Sequence, residues 1–207
     1  MSDSKVYFDI TMSLDGFIAG PNDGPGNGLG DGGERLHEWV YDLASWRAPH
    51  GLSGGETGPD GDLLEESMAR MGAVVIGRRM FDAAEGWGED PPFRVPAFVL
   101  THEERAPLSK GETTFTFVSG DAVEVLAAAR AAAGGRDVSI AGGANTIAQF
   151  LNAGLVDDIR VHVAPILLGD GIRLFDGVAP SIALRPTRVI ESPKVAHLAY
   201  RVEQTSR

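Results

Sequence analysis

The sequence predicts an α/β fold with a mainly parallel sheet covered by helices on both faces. Strand-like and helix-like runs alternate along residues 73–154, which is typical of parallel sheets. Residues 73–76 are continuously apolar, as expected of a strand that is buried on both faces. The last three strand-like runs follow one another without helices between them, so we expect the final edge of the sheet to be antiparallel.

The first part of the chain divides into six segments. Apolar side chains at every second position predict a strand, and apolar side chains at i, i+3, i+4 and i+7 predict a helix. In chain order the segments are a strand at 6–12, a turn with a short extended piece at 13–20, a glycine-rich loop at 21–33, a helix carrying Leu36, Trp39, Val40 and Leu43, a second loop at 48–61, and a short helix across 64–71 that ends at Gly72.

The remainder repeats a rhythm of strands and helices. Asp121 and Glu124 resemble a capping box, which predicts the start of a helix, and Gly154 predicts the end of the next one. In chain order we expect a strand at 73–76, a short helix at 77–82, strands at 96–100 and 114–118, a helix at 121–133, a strand at 138–141, a helix at 144–153, and strands at 159–167, 189–192 and 198–202. Without repeats or linkers, residues 1–207 are expected to form one domain.

Composition restricts the class of protein. A net charge of -11 leaves little positive charge for phosphate neutralisation, which argues against a nucleic-acid partner. The absence of cysteine excludes disulfides, thiolate metal sites and zinc deaminase chemistry. No apolar run approaches the ~20 residues of a membrane span, and the N-terminus lacks a signal-peptide pattern. We therefore expect a cytoplasmic protein with no membrane partner and no metal site.

The strongest local motif joins a predicted strand to a predicted helix through Gly142 and Gly143. Glycines let the backbone approach a ligand, and a helix N-terminus offers N–H groups and a partial positive charge. These properties are typical of a pyrophosphate cradle. A tight turn that needs only the backbone freedom of glycine is the alternative interpretation. The motif does not match the G-x-G-x-x-G pattern of Rossmann folds.

Two further motifs follow predicted strands. Gly77, Arg78 and Arg79 open a helix, where arginines can bind a phosphate; solvated surface arginines are the alternative. Thr101 and His102 end another strand, with an ordinary polar loop as the alternative. Ligands of open α/β sheets bind at the carboxyl ends of strands. The three motifs together therefore favour a dinucleotide that carries a 2′-phosphate, NADP rather than NAD.

Four segments of the chain carry a family resemblance. They are Ser-Leu-Asp-Gly-Phe-Ile-Ala at 13–19, Val-Ile-Gly-Arg-Arg-Met-Phe at 75–81, Ile-Ala-Gly-Gly-Ala at 140–144 and Ala-Pro-Ile-Leu-Leu-Gly-Asp-Gly at 164–171. In this order and spacing, over residues 5–203, the chain resembles the dihydrofolate-reductase-like superfamily. It is more closely similar to the RibD C-terminal domain family of riboflavin-biosynthesis reductases.

The resemblance implies a dihydrofolate-reductase-like fold, with eight strands in a mostly parallel sheet, helices on both faces and an antiparallel C-terminal edge. It also implies a homodimer and NADPH as the cofactor, with residues 15–19 beside the nicotinamide. The implied cofactor-binding residues are Ile18, Ala19, Gly77, Arg78, Arg79, Met80, Thr101, His102, Ser119, Gly142, Gly143, Ala144, Asn145 and Thr146.

The chain also departs from this pattern. Residues 1–207 carry no deaminase signature, and the loops at 21–33 and 48–61 are expected to lie where substrate should approach. These loops match the substrate-binding pattern of neither riboflavin-pathway reductases nor dihydrofolate reductases. The substrate is therefore open among a ribosylaminopyrimidine, a pterin and a third heterocycle.

Hydride transfer is often accompanied by a proton transfer, so a proton source is expected near the reaction centre. Asp15 is the first catalytic candidate, as that source or as an anchor of the substrate; a turn-forming aspartate before Gly16 is the alternative. Asp9 lies opposite the apolar face of its strand and would need a partner. The other interpretations are a solvated face for Glu34 and Glu38, a cofactor contact for His102, a satisfied sheet histidine for His162, a core-edge aromatic for Trp87, and no assigned role for His37, His50 and His197.

These observations lead to one interpretation and two alternatives. The chain is expected to be an NADPH-dependent reductase of a small polar heterocycle, resembling 5-amino-6-(5-phosphoribosylamino)uracil reductase. The alternatives are a dihydrofolate or pterin reductase and a nucleotide-binding module without catalysis.

Overall fold

The computed structural model of the protein describes residues 4–203, which form a nine-stranded sheet and a separate two-stranded ribbon. The strands are β1 (Val6–Ser13), β2 (Phe17–Ala19), β3 (Met71–Gly77), β4 (Ala97–Thr101), β5 (Leu108–Lys110), β6 (Thr113–Ser119), β7 (Asp137–Gly142), β8 (Asp158–Ala164), β9 (Ile172–Arg173), β10 (Leu184–Glu191) and β11 (Ala196–Val202). The helices are α1 (Glu38–Tyr41), α2 (Ala44–Arg47), α3 (Pro59–Arg70), α4 (Arg78–Ala83), α5 (Ala122–Ala132) and α6 (Ala144–Asn152), with 3₁₀ turns at Gly33–Leu36, Ala48–His50 and Glu85–Trp87.

The strand order across the main sheet is β10-β11-β8-β1-β7-β3-β4-β6-β5. The six strands from β8 to β6 pair in parallel. At one edge β11 and β10 run antiparallel to their neighbours, and at the other edge β5 does. The predicted fold class, a mostly parallel α/β sheet with an antiparallel C-terminal edge, is confirmed.

The ninth strand of the sheet is β5, where the resemblance implies eight. Its three residues carry no alternating pattern, so the sequence gives no strand signal there. The strand forms because a two-residue turn folds it back onto β6, with Lys110 beside Thr113. Tertiary pairing, rather than local preference, accounts for this difference.

The two faces of strand β1 differ in polarity. Val6 and Phe8 are fully buried in the apolar core beneath α5 and α6. Because successive side chains of a strand point to opposite faces, Asp9 and Thr11 lie on the other face. There the Trp39 indole donates a hydrogen bond to the Thr11 hydroxyl at 3.3 Å. The strand therefore turns an apolar face to one layer of the protein and a polar face to the other.

The helix predicted to carry Leu36, Trp39, Val40 and Leu43 is broken. A 3₁₀ turn, α1 and α2 replace it, although all four side chains are buried as the periodicity indicated. The cause is Glu56, whose backbone exchanges hydrogen bonds with Asp42 and Ala44. These bonds hold Leu43 extended (φ -73°, ψ 137°), so the helix cannot continue through it.

Several predicted boundaries also differ from the structure, since the strand predicted at 159–167 ends at Ala164 and the one predicted at 189–192 begins at Leu184. Gly72 does not end a helix, because α3 ends at Arg70 and Gly72 lies inside β3. A Cβ atom at Gly72 would lie 2.3 Å from the carbonyl oxygen of Ala133, so the close approach of α5 requires glycine there. The second loop is shorter than expected because α3 starts at Pro59.

The predicted capping box of α5 is present. The Asp121 carboxylate accepts hydrogen bonds from the N–H groups of Val123 (2.8 Å) and Glu124 (3.0 Å), and the Glu124 carboxylate accepts one from the Asp121 N–H group (3.0 Å). Gly154, with φ +67°, follows α6 as the sequence indicated. Within residues 4–203, no helix is long and apolar enough to cross a membrane.

Candidate active site

The expected cofactor-binding motifs meet along the carboxyl edge of four neighbouring parallel strands, β7, β3, β4 and β6. The strand registers place Gly142 beside Ile76, and Thr101 beside Ser119. Strands in a sheet lie about 4.8 Å apart, so the four strands span about 14 Å. Motifs that are far apart in the sequence thus form one continuous edge, of a length that an extended ligand can follow.

A cradle lies at the turn from β7 into α6. The first N–H groups of a helix have no acceptor within the helix, and they point toward this turn. A Cβ atom at Gly143 would meet no atom within 4 Å, so the space there is open. A Cβ atom at Gly77 would lie only 2.4 Å from Thr146 Oγ1, so β3 and α6 can approach because Gly77 has no side chain. The open space and the N–H groups fit a pyrophosphate.

Both predicted arginines lie beside the cradle and are paired with carboxylates. The Arg78 Nε–H group donates to both carboxylate oxygens of Asp82 (2.8 and 2.9 Å), and Arg78 Nη1 donates to Glu103 at 2.7 Å. Arg79 is exposed and donates to Asp23. A 2′-phosphate would have to compete with these three acidic side chains for the guanidinium groups.

Beyond the arginines, Ser119 lines an open depression of about 410 Å³ together with Arg105 and Phe117. The Arg105 guanidinium lies over the face of the buried Phe117 ring, 4.5 Å from its centre. The outer face of this planar cation can stack a flat ligand ring. The sequence did not predict a cofactor contact for Arg105 or Phe117. The position of Arg105, three residues after His102, is the local feature that could have indicated one.

The other expected cofactor residues have varied environments. Thr101 is buried and accepts the N–H group of Glu103 at 3.1 Å, whereas His102 is exposed. In the cradle, Ala144 and Thr146 are buried, Asn145 is exposed, and Met80 packs against Gly142. Ile18 and Ala19 belong to β2. This strand lies outside the main sheet, where it pairs with β9, and it contacts β1.

The Asp15 carboxylate stabilises a turn. Its carboxylate accepts hydrogen bonds from the Ser13 hydroxyl (2.5 Å) and from the N–H groups of Leu168 (3.1 Å) and Gly169 (2.8 Å). The bond from Ser13, assisted by those of Gly169 and Leu168, lowers the pKa of Asp15 to about 2. At neutral pH the group carries no proton, so this geometry favours the turn-forming interpretation. A catalytic role for Asp15 stays a prediction; an ionised carboxylate can anchor a substrate but supplies no proton.

Glu34, Glu38 and Trp87 have the environments that the sequence predicted, on a solvated face and at the edge of the core. Glu34 and Glu38 are exposed on the segment that precedes α2. Trp87 packs edge-on against Phe93 (4.8 Å between ring centres) and parallel to Phe115 (6.3 Å), at the edge of the core.

A row of four polar side chains lies buried between the sheet and α3. His162 of β8 and His197 of β11 stand side by side, with their Nδ1 atoms 2.5 Å apart. His162 Nε2 contacts the Asp9 carboxylate, and His197 Nε2 lies 2.9 Å from the Asp60 carboxylate. We call Asp9, His162, His197 and Asp60 the buried quartet. Sequence reasoning noted that Asp9 needs a partner, but no local pattern links residues 60 and 197 to it.

His37 lies at the end of the 3₁₀ turn that packs against β1 and β2. Its Nδ1 atom is buried and has no hydrogen-bond partner among residues 4–203. Burial, together with repulsion by the charge of His162, lowers the pKa of His37 to about 4. His37 is therefore neutral at neutral pH, with an unused ring nitrogen near the carboxyl end of β1.

The low pKa of His37 predicts a pH-dependent stability. The unfolded chain takes up this proton near pH 6.5 and the folded protein only near pH 4, so stability should fall as the pH drops through this interval. The loss should be at most about 3 kcal/mol. Thermal unfolding from pH 7 to pH 4, for wild type and His37→Gln, measures it. A variant curve parallel to the wild-type curve would assign the loss to other groups.

Comparisons with known proteins agree with this fold. The family model of the RibD C-terminal domain matches residues 4–198. A candidate riboflavin biosynthesis protein from Shewanella sp. PV-4 superimposes with a TM-score of 0.68 at 24% identity, covering 97% of this chain and 99% of that one. A dihydrofolate reductase from Enterococcus faecalis, solved with NADP(H), superimposes with a TM-score of 0.55 at 14% identity, covering 98% of both chains.

A Thermotoga maritima diaminohydroxyphosphoribosylaminopyrimidine deaminase/5-amino-6-(5-phosphoribosylamino)uracil reductase superimposes with a TM-score of 0.57 at 14% identity. The match covers 97% of this chain and 57% of the Thermotoga chain. At these identities the likeness of the three structures establishes the dihydrofolate-reductase-like fold alone. The family model, which spans nearly the whole sequence, establishes that the chain belongs to the RibD C-terminal domain family.

Proposed function

We propose that the protein is an NADPH-dependent reductase that transfers a hydride to a small polar heterocycle. The observation that carries this proposal is the open cradle at Gly143, in front of the N-terminus of α6 and in line with the ends of β3, β4 and β6. Family membership and the likeness to a dihydrofolate reductase solved with NADP(H) support the choice of cofactor.

Each part of the edge would hold a different part of the cofactor. The cradle would bind the pyrophosphate through backbone N–H groups of α6, and Arg78 and Arg79 would bind the 2′-phosphate. Arg105, which lies over Phe117, would stack the adenine. Bound NADPH would supply the hydride, and Ile18 and Ala19 would flank its nicotinamide ring. This arrangement leaves the carboxyl end of β1 for the substrate.

Two heterocycles are the first substrates to test. One is 5-amino-6-(5-phosphoribosylamino)uracil, the compound named for the Thermotoga enzyme, and the other is 7,8-dihydrofolate. Thermal unfolding with NADPH, with NADH and without nucleotide would come first. Binding at 100 times Kd adds about 2.7 kcal/mol to the stability, which gives a clear shift of the midpoint. NADPH oxidation would then be followed with each heterocycle.

The outcomes separate the competing interpretations. Stabilisation by NADPH with turnover supports the reductase. Stabilisation by NADPH with no turnover of either compound favours the module without catalysis, which the commitment of Asp15 to a turn also favours. No stabilisation by either nucleotide would contradict the proposal. The homodimer stays a prediction, and sedimentation velocity of the purified protein would test it.

Replacing Arg78 and Arg79 together by alanine should weaken NADPH binding by about 10–100-fold, the value of one or two charge-assisted hydrogen bonds. NADH binding should hardly change, because NADH lacks the 2′-phosphate. Titrations of both nucleotides measure the difference. The control is the Arg185→Ala and Arg201→Ala pair, which removes the same charge at the opposite edge of the sheet. Equal losses for NADPH and NADH would show that neither Arg78 nor Arg79 reads the 2′-phosphate.

A further inference from the structure

An ion pair bridges the carboxyl ends of β3 and β4. Arg78 directly follows β3, and Glu103 lies two residues beyond the end of β4. Arg78 Nη1 donates a hydrogen bond to the Glu103 carboxylate at 2.7 Å. Because β3 and β4 are parallel neighbours, with Gly77 beside Leu100, this contact spans the gap between the two strand ends. We call Arg78 and Glu103 the edge pair.

The edge pair lies between the proposed sites for the pyrophosphate and the adenine. On one side Gly143, just past the end of β7, lines the open cradle, and β7 is the other neighbour of β3. On the other side Arg105 lies over Phe117 of β6, the strand next to β4. In a dinucleotide, the ribose of the adenosine half joins the pyrophosphate to the adenine. Its 2′ position would therefore lie against the edge pair.

The two members of the edge pair differ in their freedom to move. The Arg78 Nε–H group donates to both carboxylate oxygens of Asp82, one turn further along α4, at 2.8 and 2.9 Å. The hydrogen bonds to Asp82 and then to Glu103 raise the pKa of Arg78, so the guanidinium stays charged. The Arg78 side chain is 30% exposed, whereas that of Glu103 is 73% exposed. The arginine is therefore held in place, and Glu103 is the partner that can turn away.

The neighbouring ion pair of Arg79 and Asp23 has the opposite arrangement. Here the arginine side chain is 71% exposed and the carboxylate only 11%. Arg79 can leave Asp23 by rotation of its own side chain, so no carboxylate has to move before Arg79 binds a phosphate. Selection at the 2′ position therefore depends on Glu103 rather than on Asp23.

Each member of the edge pair recognises a different group at the 2′ position. In dinucleotide sites an arginine accommodates the 2′-phosphate of NADP, whereas a carboxylate accepts a hydrogen bond from the 2′-hydroxyl of NAD. A guanidinium binds a phosphate most strongly through two parallel N–H groups. On Arg78, Nη1 is bonded to Glu103 and Nε to Asp82, so a phosphate obtains two such bonds only when a carboxylate leaves. A hydroxyl requires no such displacement.

We propose that the edge pair reads the ribose 2′ position in two ways, so that the protein uses NADH as well as NADPH. This inference rests on the proposed reductase function. With NADH, Glu103 stays bonded to Arg78 and accepts a hydrogen bond from the 2′-hydroxyl. With NADPH, the Glu103 side chain turns toward solvent, and the 2′-phosphate takes its place on Arg78. Glu103 thus sets the preference between the two nucleotides.

Glu103→Gln keeps the size of the side chain and removes its charge. This variant should bind NADPH about fivefold more tightly, the effect of removing one unit charge at about 4 Å in water. It should bind NADH about 3–10-fold more weakly, because an exposed hydrogen bond to the 2′-hydroxyl loses its charge. Titration calorimetry with each nucleotide measures both dissociation constants without any substrate, and circular dichroism verifies folding.

Glu112→Gln is the matched control. The Glu112 side chain is 69% exposed and pairs with Arg94, which is 32% exposed, so the pair resembles the edge pair in its exposure. Glu112 directly precedes β6, at the opposite end of the strands, and loss of its charge should leave both dissociation constants unchanged. Arg78→Ala should weaken NADPH more than NADH. The two members of the edge pair should therefore change the ratio of the two constants in opposite directions.

The outcomes separate this inference from the proposed function. If wild type binds NADPH and Glu103→Gln changes both nucleotides equally or neither, the edge pair does not read the 2′ position, although the reductase proposal stands. Wild type that binds NADPH but shows no binding of NADH at millimolar concentration would equally overturn the inference. Wild type that binds neither nucleotide would overturn the proposed function, and the inference with it.

Discussion

Gly143→Val is expected to abolish NADPH binding in a protein that still folds. Gly143 has φ -80° and ψ -168°, a conformation that valine adopts without strain, and its missing Cβ faces open space. Because a Cβ atom there meets no atom within 4 Å, we expect the added side chain to extend into the volume in front of the N-terminus of α6 and the protein to fold. We expect the affinity to fall by at least about 100-fold, equivalent to about 2.8 kcal/mol.

Gly24→Val is the matched control for this experiment. A Cβ atom at Gly24 also meets no atom within 4 Å, and its backbone is not in the left-handed region. Titration of NADPH against wild type and both variants, with circular dichroism to verify folding, completes the test. NADPH binding to a folded Gly143→Val protein at wild-type affinity would move the phosphate site away from this turn.

Asp9→Ala is expected to destabilise the protein by about 3–5 kcal/mol, the usual cost of removing one partner from a buried ion pair. The Asp9 side chain is only 12% exposed. Its loss would leave the Nε2–H group of His162 without an acceptor and would remove one carboxylate from Arg160. Since whole domains are stable by only 5–15 kcal/mol, this is a large share of the total.

Asp42→Ala provides the comparison, because Asp42 forms an exposed ion pair with Lys194 at 2.9 Å. Such pairs contribute about 0–1 kcal/mol. Urea unfolding of the three proteins gives both differences directly. The lowered pKa of Asp9 adds a pH test: its stabilisation should be present above the ordinary carboxyl pKa and lost as the pH falls below it. Equal effects of the two substitutions would mean that water reaches Asp9.

The features that the sequence predicts correctly are those with local causes. Alternation along Val6, Phe8, Ile10 and Met12 identifies β1, and the capping box at Asp121 identifies the start of α5. The turn at Gly142 and Gly143 is visible because two glycines interrupt an apolar strand. Family resemblance then orders these local signals into one fold.

The features that the sequence does not predict depend on contacts between distant segments. Glu56 breaks the helix near Leu43 from a different loop, and α5 dictates the glycine at position 72. The buried quartet is the clearest case. Its four members come from two parallel strands, an antiparallel strand and a helix, so only the assembled sheet brings Asp60 and His197 together.

The central position of β1 has a consequence for synthesis of the chain. Its neighbours, β7 and β8, lie within residues 137–164, far downstream of Val6–Ser13. At 5–20 residues per second, a ribosome needs roughly 6–30 s to make the intervening chain. During that time β3, β4, β5 and β6 are made and can pair with one another, whereas β1 still lacks both of its neighbours in the main sheet. Nascent chains arrested before residue 137 should therefore bind ribosome-associated chaperones through their first strand. Chains arrested beyond residue 164 should no longer bind them.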